Sequence, residues 1–270
     1  MGLFRRKSSC HTPLADTPCV GRKVALVGNP NVGKSVLFNA LTGSYVTVSN
    51  YPGTSVEVAR GAAVIAGESF EIIDTPGMYS LLPISEEERV ARKILLENPP
   101  DMVIHVVDAR NLERMLTMTL QLVEACLPVI LVVNMMDEAE RSGIAVDIPL
   151  LAKRLGIPAV GAAVTSKRGL SEIRETIRGY RRGAHAVPDY SRRLEDDIAK
   201  ITGLFRSSFS LSPKAVALLL LQRDQEMTDL VRRAEGEGFA AVEAKIREQA
   251  YAKRESFHLD LSLERRKITE

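Results

Sequence analysis

Gly28-Asn29-Pro30-Asn31-Val32-Gly33-Lys34-Ser35 decides the fold of this chain. The stretch completes the pattern G-x-x-x-x-G-K-S. It follows the mostly apolar run 23–27 and leads into Val36-Leu37-Phe38-Asn39-Ala40-Leu41. Strand, loop and helix in that order are the setting a phosphate-binding loop needs. Gly28 and Gly33 allow backbone angles that a Cβ would forbid, so successive N–H groups from Gly28 to Val36 can turn inward on a β-phosphate. The helix opening near Gly33 adds the positive end of its dipole. Lys34 can reach the β and γ oxygens, and Ser35 can place its hydroxyl on Mg2+. The implied ligand is a nucleoside triphosphate, and the loop by itself does not name the base.

The 270 residues suffice for one large domain or for one domain plus a smaller one. A hydrophobic content of 45% and a charged content of 26% are ordinary for a globular chain. A net charge of +2 gives no nucleic-acid signature. Three cysteines, Cys10, Cys19 and Cys126, imply no disulfide framework and fit a reducing compartment. Cys10-His11 with Cys19 lacks an evident fourth metal ligand, so residues 1–20, with basic Arg5-Arg6-Lys7 and two prolines, read as a flexible arm. No run approaches the roughly 18 apolar residues needed to cross a bilayer.

From residue 23 to about 182, apolar runs alternate with amphipathic stretches. Strands are predicted over 23–27, 56–66, 69–74, 102–107, 128–133 and 158–164, and helices over 34–43, 86–97, 113–126, 148–155 and 170–182. That alternation predicts an α/β fold, a mainly parallel sheet flanked by helices, over a domain of 21–185. Ligands of such sheets sit beyond the carboxyl ends of the strands. Residues 190–260 keep only helical periodicity, with Pro213 placed for a first turn and Gly236 and Gly238 marking a break. They predict a small all-helical domain of three or four helices. The end, 261–270, carries Arg265-Arg266-Lys267 and no stop signal.

Three further segments narrow the chemistry. Asp74-Thr75-Pro76-Gly77 closes a predicted strand. There Asp74 can hold Mg2+ through water, and the Gly77 N–H can sense a γ-phosphate. Asn134-Met135-Met136-Asp137 follows the run 128–133. The Asp137 carboxylate can accept from N1–H and the 2-amino group of guanine, a donor pair adenine lacks, which selects GTP. Its competing reading is a helix N-cap. Asn134 would tie this loop to the phosphate loop. Between them, residues 48–57 offer two adjacent hydroxyls, Thr54 and Ser55, beside Gly53, to close over Mg2+. A last loop contacting the base by backbone N–H is placed at Ala163-Val164-Thr165, with Ser166-Lys167 as the alternative. After Gly77 stands Met78, whose thioether cannot orient an attacking water, so turnover should be slow unless another group substitutes. Asn31 could ligate a monovalent cation in place of an arginine finger, or could simply shape its loop.

Together, Gly28 to Ser35, residues 50–57, Asp74-Thr75-Pro76-Gly77-Met78-Tyr79-Ser80-Leu81 with Ser85-Glu86-Glu87-Glu88, Asp108-Ala109-Arg110-Asn111-Leu112-Glu113-Arg114 and Asn134-Met135-Met136-Asp137 resemble the cytosolic N-terminal region of FeoB-type ferrous iron transporters. The resemblance covers roughly residues 22–260. It implies a Ras-like GTPase domain, a helical domain that restrains nucleotide dissociation, and a polytopic membrane domain beyond them. It also implies GTP and GDP with Mg2+, and K+-stimulated hydrolysis with the K+ ligand at Asn31 and the Mg2+ hydroxyl at Ser55, where the family more often has threonine. Lys34, Asn31, Ser55 and Gly77 would then carry catalysis. The implied place is the cytoplasmic face of the inner membrane, with Fe2+ handled by the membrane domain, no nucleic-acid partner and possible homo-oligomerisation. Arg265-Arg266-Lys267 fit either the positive side of a following membrane helix or an ordinary solvated helix end. The competing functions are a GTPase of ribosome assembly or RNA modification, and a GTP switch with negligible hydrolysis.

Overall fold

The computed structural model describes residues 21–43, 46–97, 99–181, 188–252 and 257–269. The expected arm, with Cys10 and Cys19, lies outside them.

Seven strands form one sheet: β1 (Arg22–Val27), β2 (Val46–Asn50), β3 (Glu57–Ile65), β4 (Glu68–Asp74), β5 (Met102–Asp108), β6 (Val129–Asn134) and β7 (Ala159–Gly161). Eleven helices accompany them among the described residues: α1 (Lys34–Leu41), α2 (Glu86–Leu96), α3 (Leu112–Glu124), α4 (Met136–Arg141), α5 (Ile148–Leu155), α6 (Leu170–Gly179), α7 (Arg192–Thr202), α8 (Pro213–Leu221), α9 (Gln225–Glu235), α10 (Phe239–Ala252) and α11 (Phe257–Thr269). The strand order is β2-β3-β4-β1-β5-β6-β7. β3 pairs antiparallel with both β2 and β4, while β4, β1, β5, β6 and β7 run parallel.

Burial on both faces explains why the central strands read as unbroken apolar runs. Every residue of β5 and of β6 is buried. Alternate residues feed two cores. Val24, Leu26, Ile104 and Ile130 pack with Leu37 and Phe38 of α1 and with Ile173 and Ile177 of α6. Ala25, Val27, Val103 and Val133 pack with α3 on the opposite face. That second core runs without a break into Leu194, Ile198, Val216, Leu220, Met227 and Val242 of the C-terminal helices.

Local chemistry sets the helix starts. Ser85 and Glu88 form a reciprocal capping box at α2. Asp147 caps α5, with Pro149 inside its first turn. Ser212 caps α8 ahead of Pro213, as the sequence predicts.

Three expectations change. The strand predicted over 158–164 shrinks to β7, and its end becomes a 3-10 turn, Val164–Ser166. The stretch before residue 56 holds β2, an edge strand exposed along its whole length, so no buried face marks it in the sequence. The C-terminal end is a docked helix. Arg265 of α11 is 4% exposed and meets Glu124 of α3, with Nη2 to Oε2 at 2.6 Å and Nε to Oε1 at 3.1 Å, while the Tyr190 hydroxyl also donates to Glu124. Neither a membrane-facing charge nor a solvated helix end describes Arg265. Arg266 and Lys267 beside it are exposed.

Candidate functional site

The sheet order reverses direction at β1, and the loop 28–33 leaves its carboxyl end there. Gly33 holds φ +86, and a Cβ on it would lie 2.3 Å from Asn134 Nδ2. Gly33 therefore answers two demands at once, a left-handed backbone and a close neighbour. Asn31 also sits at positive φ, +65, a conformation that asparagine tolerates better than most side chains.

The segment after β4 is laced onto this loop. Thr75 donates through its N–H and its hydroxyl to Leu26 O, at 3.2 and 2.8 Å, and Met78 N donates to Gly28 O at 3.0 Å. Gly77 is packed so closely that a Cβ would lie 2.8 Å from Pro30 Cγ. Lys34 Nζ donates to Asp74 Oδ1 and, at 2.5 Å, to Thr75 O. Ser35 Oγ donates to Asp74 Oδ2 at 2.7 Å. The structure thus brings Lys34, Ser35, Asp74 and Gly77 to one place. Thr75, an unassigned position between Asp74 and Gly77 in the sequence, is the residue that fastens the segment.

Met78 is fully buried among core residues with Leu81. Its buried thioether offers no hydrogen-bonding group that could orient an attacking water. The following loop hangs on Glu88, which accepts from Tyr79 N at 3.1 Å and Ile84 N at 2.8 Å, and on Gln121, whose Oε1 accepts from Leu81 N at 2.6 Å. The span between β2 and β3 is a closed turn in which Tyr51 N donates to Val56 O at 2.8 Å. Thr54 Oγ1 donates to Tyr51 O at 2.9 Å and accepts from Val56 N at 3.2 Å. Its hydroxyl is therefore occupied by its own turn, whereas Ser55 is exposed beside it.

At the base end, Asn134 is 3% exposed and joins two loops. Its Nδ2 donates to Val32 O at 2.9 Å, and its Oδ1 accepts from Val164 N at 3.1 Å. The second bond uses a backbone donor, Val164 N–H, that was expected to face the base. Ala163 N is taken as well, by Arg168 O at 3.0 Å. Met135, at φ +60, is the N-cap of α4, so Asp137 lies inside the first turn and is not the cap. The Asp137 carboxylate is 44% exposed and meets Arg141 at 3.5 Å.

Arginines surround this end. Arg110 donates to Asp108 and to Glu138, and Arg168 donates to both oxygens of Glu140 at 2.8 and 2.7 Å. Burial raises the Asp108 pKa, but the Arg110 and Asn111 hydrogen bonds outweigh it and bring that carboxyl below its usual range. The hydrogen bond from Arg168 lowers Glu140 likewise. The pairs Arg110–Glu138 and Arg168–Glu140 carry no local sequence signal, because the two members of each lie 28 positions apart.

A phosphate loop, a strand-end aspartate and glycine laced to it, and an asparagine–aspartate loop at the next carboxyl end define a P-loop GTPase. The family described as "Ferrous iron transport protein B" matches residues 22–177, and the chain belongs to it. The fusion protein of Fe(2+) transport protein A and Fe(2+) transporter FeoB from Porphyromonas gingivalis is 39% identical over 77% of this chain and 26% of its own length. The Fe(2+) transporter FeoB of Escherichia coli K12 is 33% identical over 90% of this chain and 29% of its own. The chain therefore spans under a third of these relatives. Among solved structures, a GDP-bound variant of the S. thermophilus NFeoB superposes with a TM-score of 0.84 at 32% identity, covering 92% of this chain and 96% of that one. The same protein bound to GDP.AlF4- and K+ gives 0.80 at 32% identity, covering 92% and 97%. The apo cytosolic domain of the T. maritima FeoB gives 0.80 at 33% identity, covering 92% and 96%. The 92% coverage carries these matches beyond the sheet into the C-terminal helices.

Proposed function

We propose that this chain is the regulatory GTPase module of a ferrous iron transporter, lying at the cytoplasmic face of the membrane and joined to a polytopic domain that passes Fe2+. The observation that carries the reading is the lacing of residues 74–78 onto the phosphate loop. A segment bonded to Gly28 and Leu26 at one end and to Glu88 at the other can convert contact with a γ-phosphate into movement of α2. In this reading Lys34 and the N–H groups of Gly28 to Val36 bind the phosphates, and the Gly77 N–H reads the γ-phosphate. Asp137 selects guanine, and Asn134 keeps the base and phosphate loops in register.

The donor set fits the ions such a site uses. Ser35 Oγ and Asp74 Oδ2 already converge at 2.7 Å, and Ser55, rather than Thr54, has the hydroxyl left to complete the group. Bound there, Mg2+, with K+ at Asn31, would supply positive charge against the transferring phosphoryl oxygens. With Met78 buried, hydrolysis depends on that charge and on backbone donors, so it is slow.

The test is the initial rate of GTP hydrolysis in K+ and in Na+ at equal ionic strength. K+ should give the faster rate, and Asn31→Ala should erase the difference while retaining GDP binding. Equal rates in the two salts would remove the cation from the mechanism.

A further inference from the structure

The guanine-reading helix α4 has six residues, too few to hold its own shape. Its first turn is anchored by backbone, with Met136 N donating to Ala162 O at 3.0 Å. Its later half is held by side chains. Arg168 reaches Glu140 with two near-parallel bonds, the fork geometry that makes an arginine–carboxylate pair directional. Arg168 is itself fixed by a tight turn. Ala163 and Arg168 form a reciprocal backbone bridge at 3.0 and 3.2 Å, Lys167 holds φ +63, and a Cβ on Gly169 would lie 2.5 Å from Gly161 O. The turn that carries Arg168 is the same one that carries Ala163, Val164 and Thr165. On the opposite side of α4, Arg110 donates to Glu138.

We infer that Arg168 and Glu140 form a positioning brace that sets the distance between the two walls of the guanine site, α4 with Asp137 and the loop 163–168, and thereby sets how long GDP stays bound. The inference rests on the guanine-reading role proposed above for Asp137. The brace acts through the walls, since neither side chain contacts the base in this assignment. Both are about half exposed, at 54% and 48%, which limits the effect to that of a well-formed surface pair. The backbone anchor at Met136 limits it further. The hydrogen bond to Glu140 raises the Arg168 pKa, and the charge of Asp137 adds to it, which places all three groups in one field.

Stopped-flow release of a fluorescent GDP analogue tests this. Arg168→Ala and Glu140→Arg should each speed release roughly threefold or more, the kinetic equivalent of one such pair. Each should raise KM for GTP without a matching fall in kcat. The exchanged pair, Arg168→Glu with Glu140→Arg, should return release toward the unmodified rate, an outcome that mere loss of stability would not produce. Unchanged release in the single variants, or no restoration in the exchanged pair, overturns the brace. Asp137→Asn assayed in parallel with xanthosine diphosphate separates the two levels. If its preference moves to xanthine while the Arg168 variants behave normally, only the brace fails. If its preference does not move, the reading of the base site fails with it.

Discussion

The phosphate half and the base half of the site are built from different materials. Around Gly28 to Ser35, precision comes from backbone and from near-zero clearance: Gly33 against Asn134, Gly77 against Pro30, and Met78 N on Gly28 O. Around Asp137, it comes from half-exposed arginine–carboxylate pairs on a helix of six residues. Close packing tolerates almost no change, whereas surface ion pairs are screened and individually weak. On the proposed function, the difference teaches that the chain would hold phosphate rigidly and the base adjustably. A nucleotide switch benefits from that division, since the base wall can tune release without disturbing the catalytic end.

The largest effect should come from the rigid half. Lys34→Ala removes the cation that binds Asp74 and Thr75 O, and it should weaken GTP and GDP by about a hundredfold or more in a calorimetric titration. Retention of micromolar affinity would contradict the phosphate-loop assignment. Asp137→Asn should cost GTP about 2–3 kcal/mol, about thirty- to 150-fold, because a carboxylate matched to two guanine donors is lost. Competition between GTP and xanthosine triphosphate reads this directly, and an unchanged ratio would remove Asp137 from base selection. Asn134→Ala tests the joint between the halves. It leaves Val32 O and Val164 N without their partner, and each buried orphan costs about 1–3 kcal/mol. We expect about tenfold weaker binding together with a lowered melting temperature. A loss of affinity with no change in melting would mean that the two loops are not mechanically joined there.

The sequence carried the rigid half almost whole, because phosphate chemistry demands particular residue types at fixed spacing. Gly28, Gly33, Lys34, Ser35, Asp74 and Gly77 needed only local context to be assigned, and the structure brings them together. For the base half the sequence offered Asn134, Met135, Asp137 and the loop Ala163-Val164-Thr165, and the structure joins Asn134 to Val164. The other members of that half are common surface residues, and the pairs Arg110–Glu138 and Arg168–Glu140 each join positions 28 apart. The same limit hid the C-terminal dock. Arg265-Arg266-Lys267 reads as one basic cluster, yet helical spacing turns Arg265 into the core and leaves its neighbours outside. The edge strand β2 escaped for the opposite reason, since it buries neither face. Thr54 and Ser55 could be told apart only once the turn between β2 and β3 showed which hydroxyl its backbone already uses.

The smallest expected effect belongs to neither half. His105 lies fully buried in β5, with Nδ1 2.9 Å from Thr119 Oγ1, and burial pushes its pKa down from 6.5 to about 3. The folded chain therefore binds fewer protons here than the unfolded chain once the pH falls below 6.5, so acid favours unfolding, and the contribution is absent above that value. At pH 6 the loss is about 0.8 kcal/mol, growing toward ~1.4 kcal/mol per pH unit lower down. Urea titrations of the unmodified chain and of His105→Leu at pH 7.5 and 6 should differ in slope against pH by that amount, whatever the absolute stability of the variant. Because β5 pairs with β1 on one side and β6 on the other, it supports the phosphate and base loops equally. The loss should therefore leave the preference for GTP over xanthosine triphosphate unmoved. A change in that preference with pH, tracking His105, would show that the core is not a neutral platform and that the two halves communicate through the sheet.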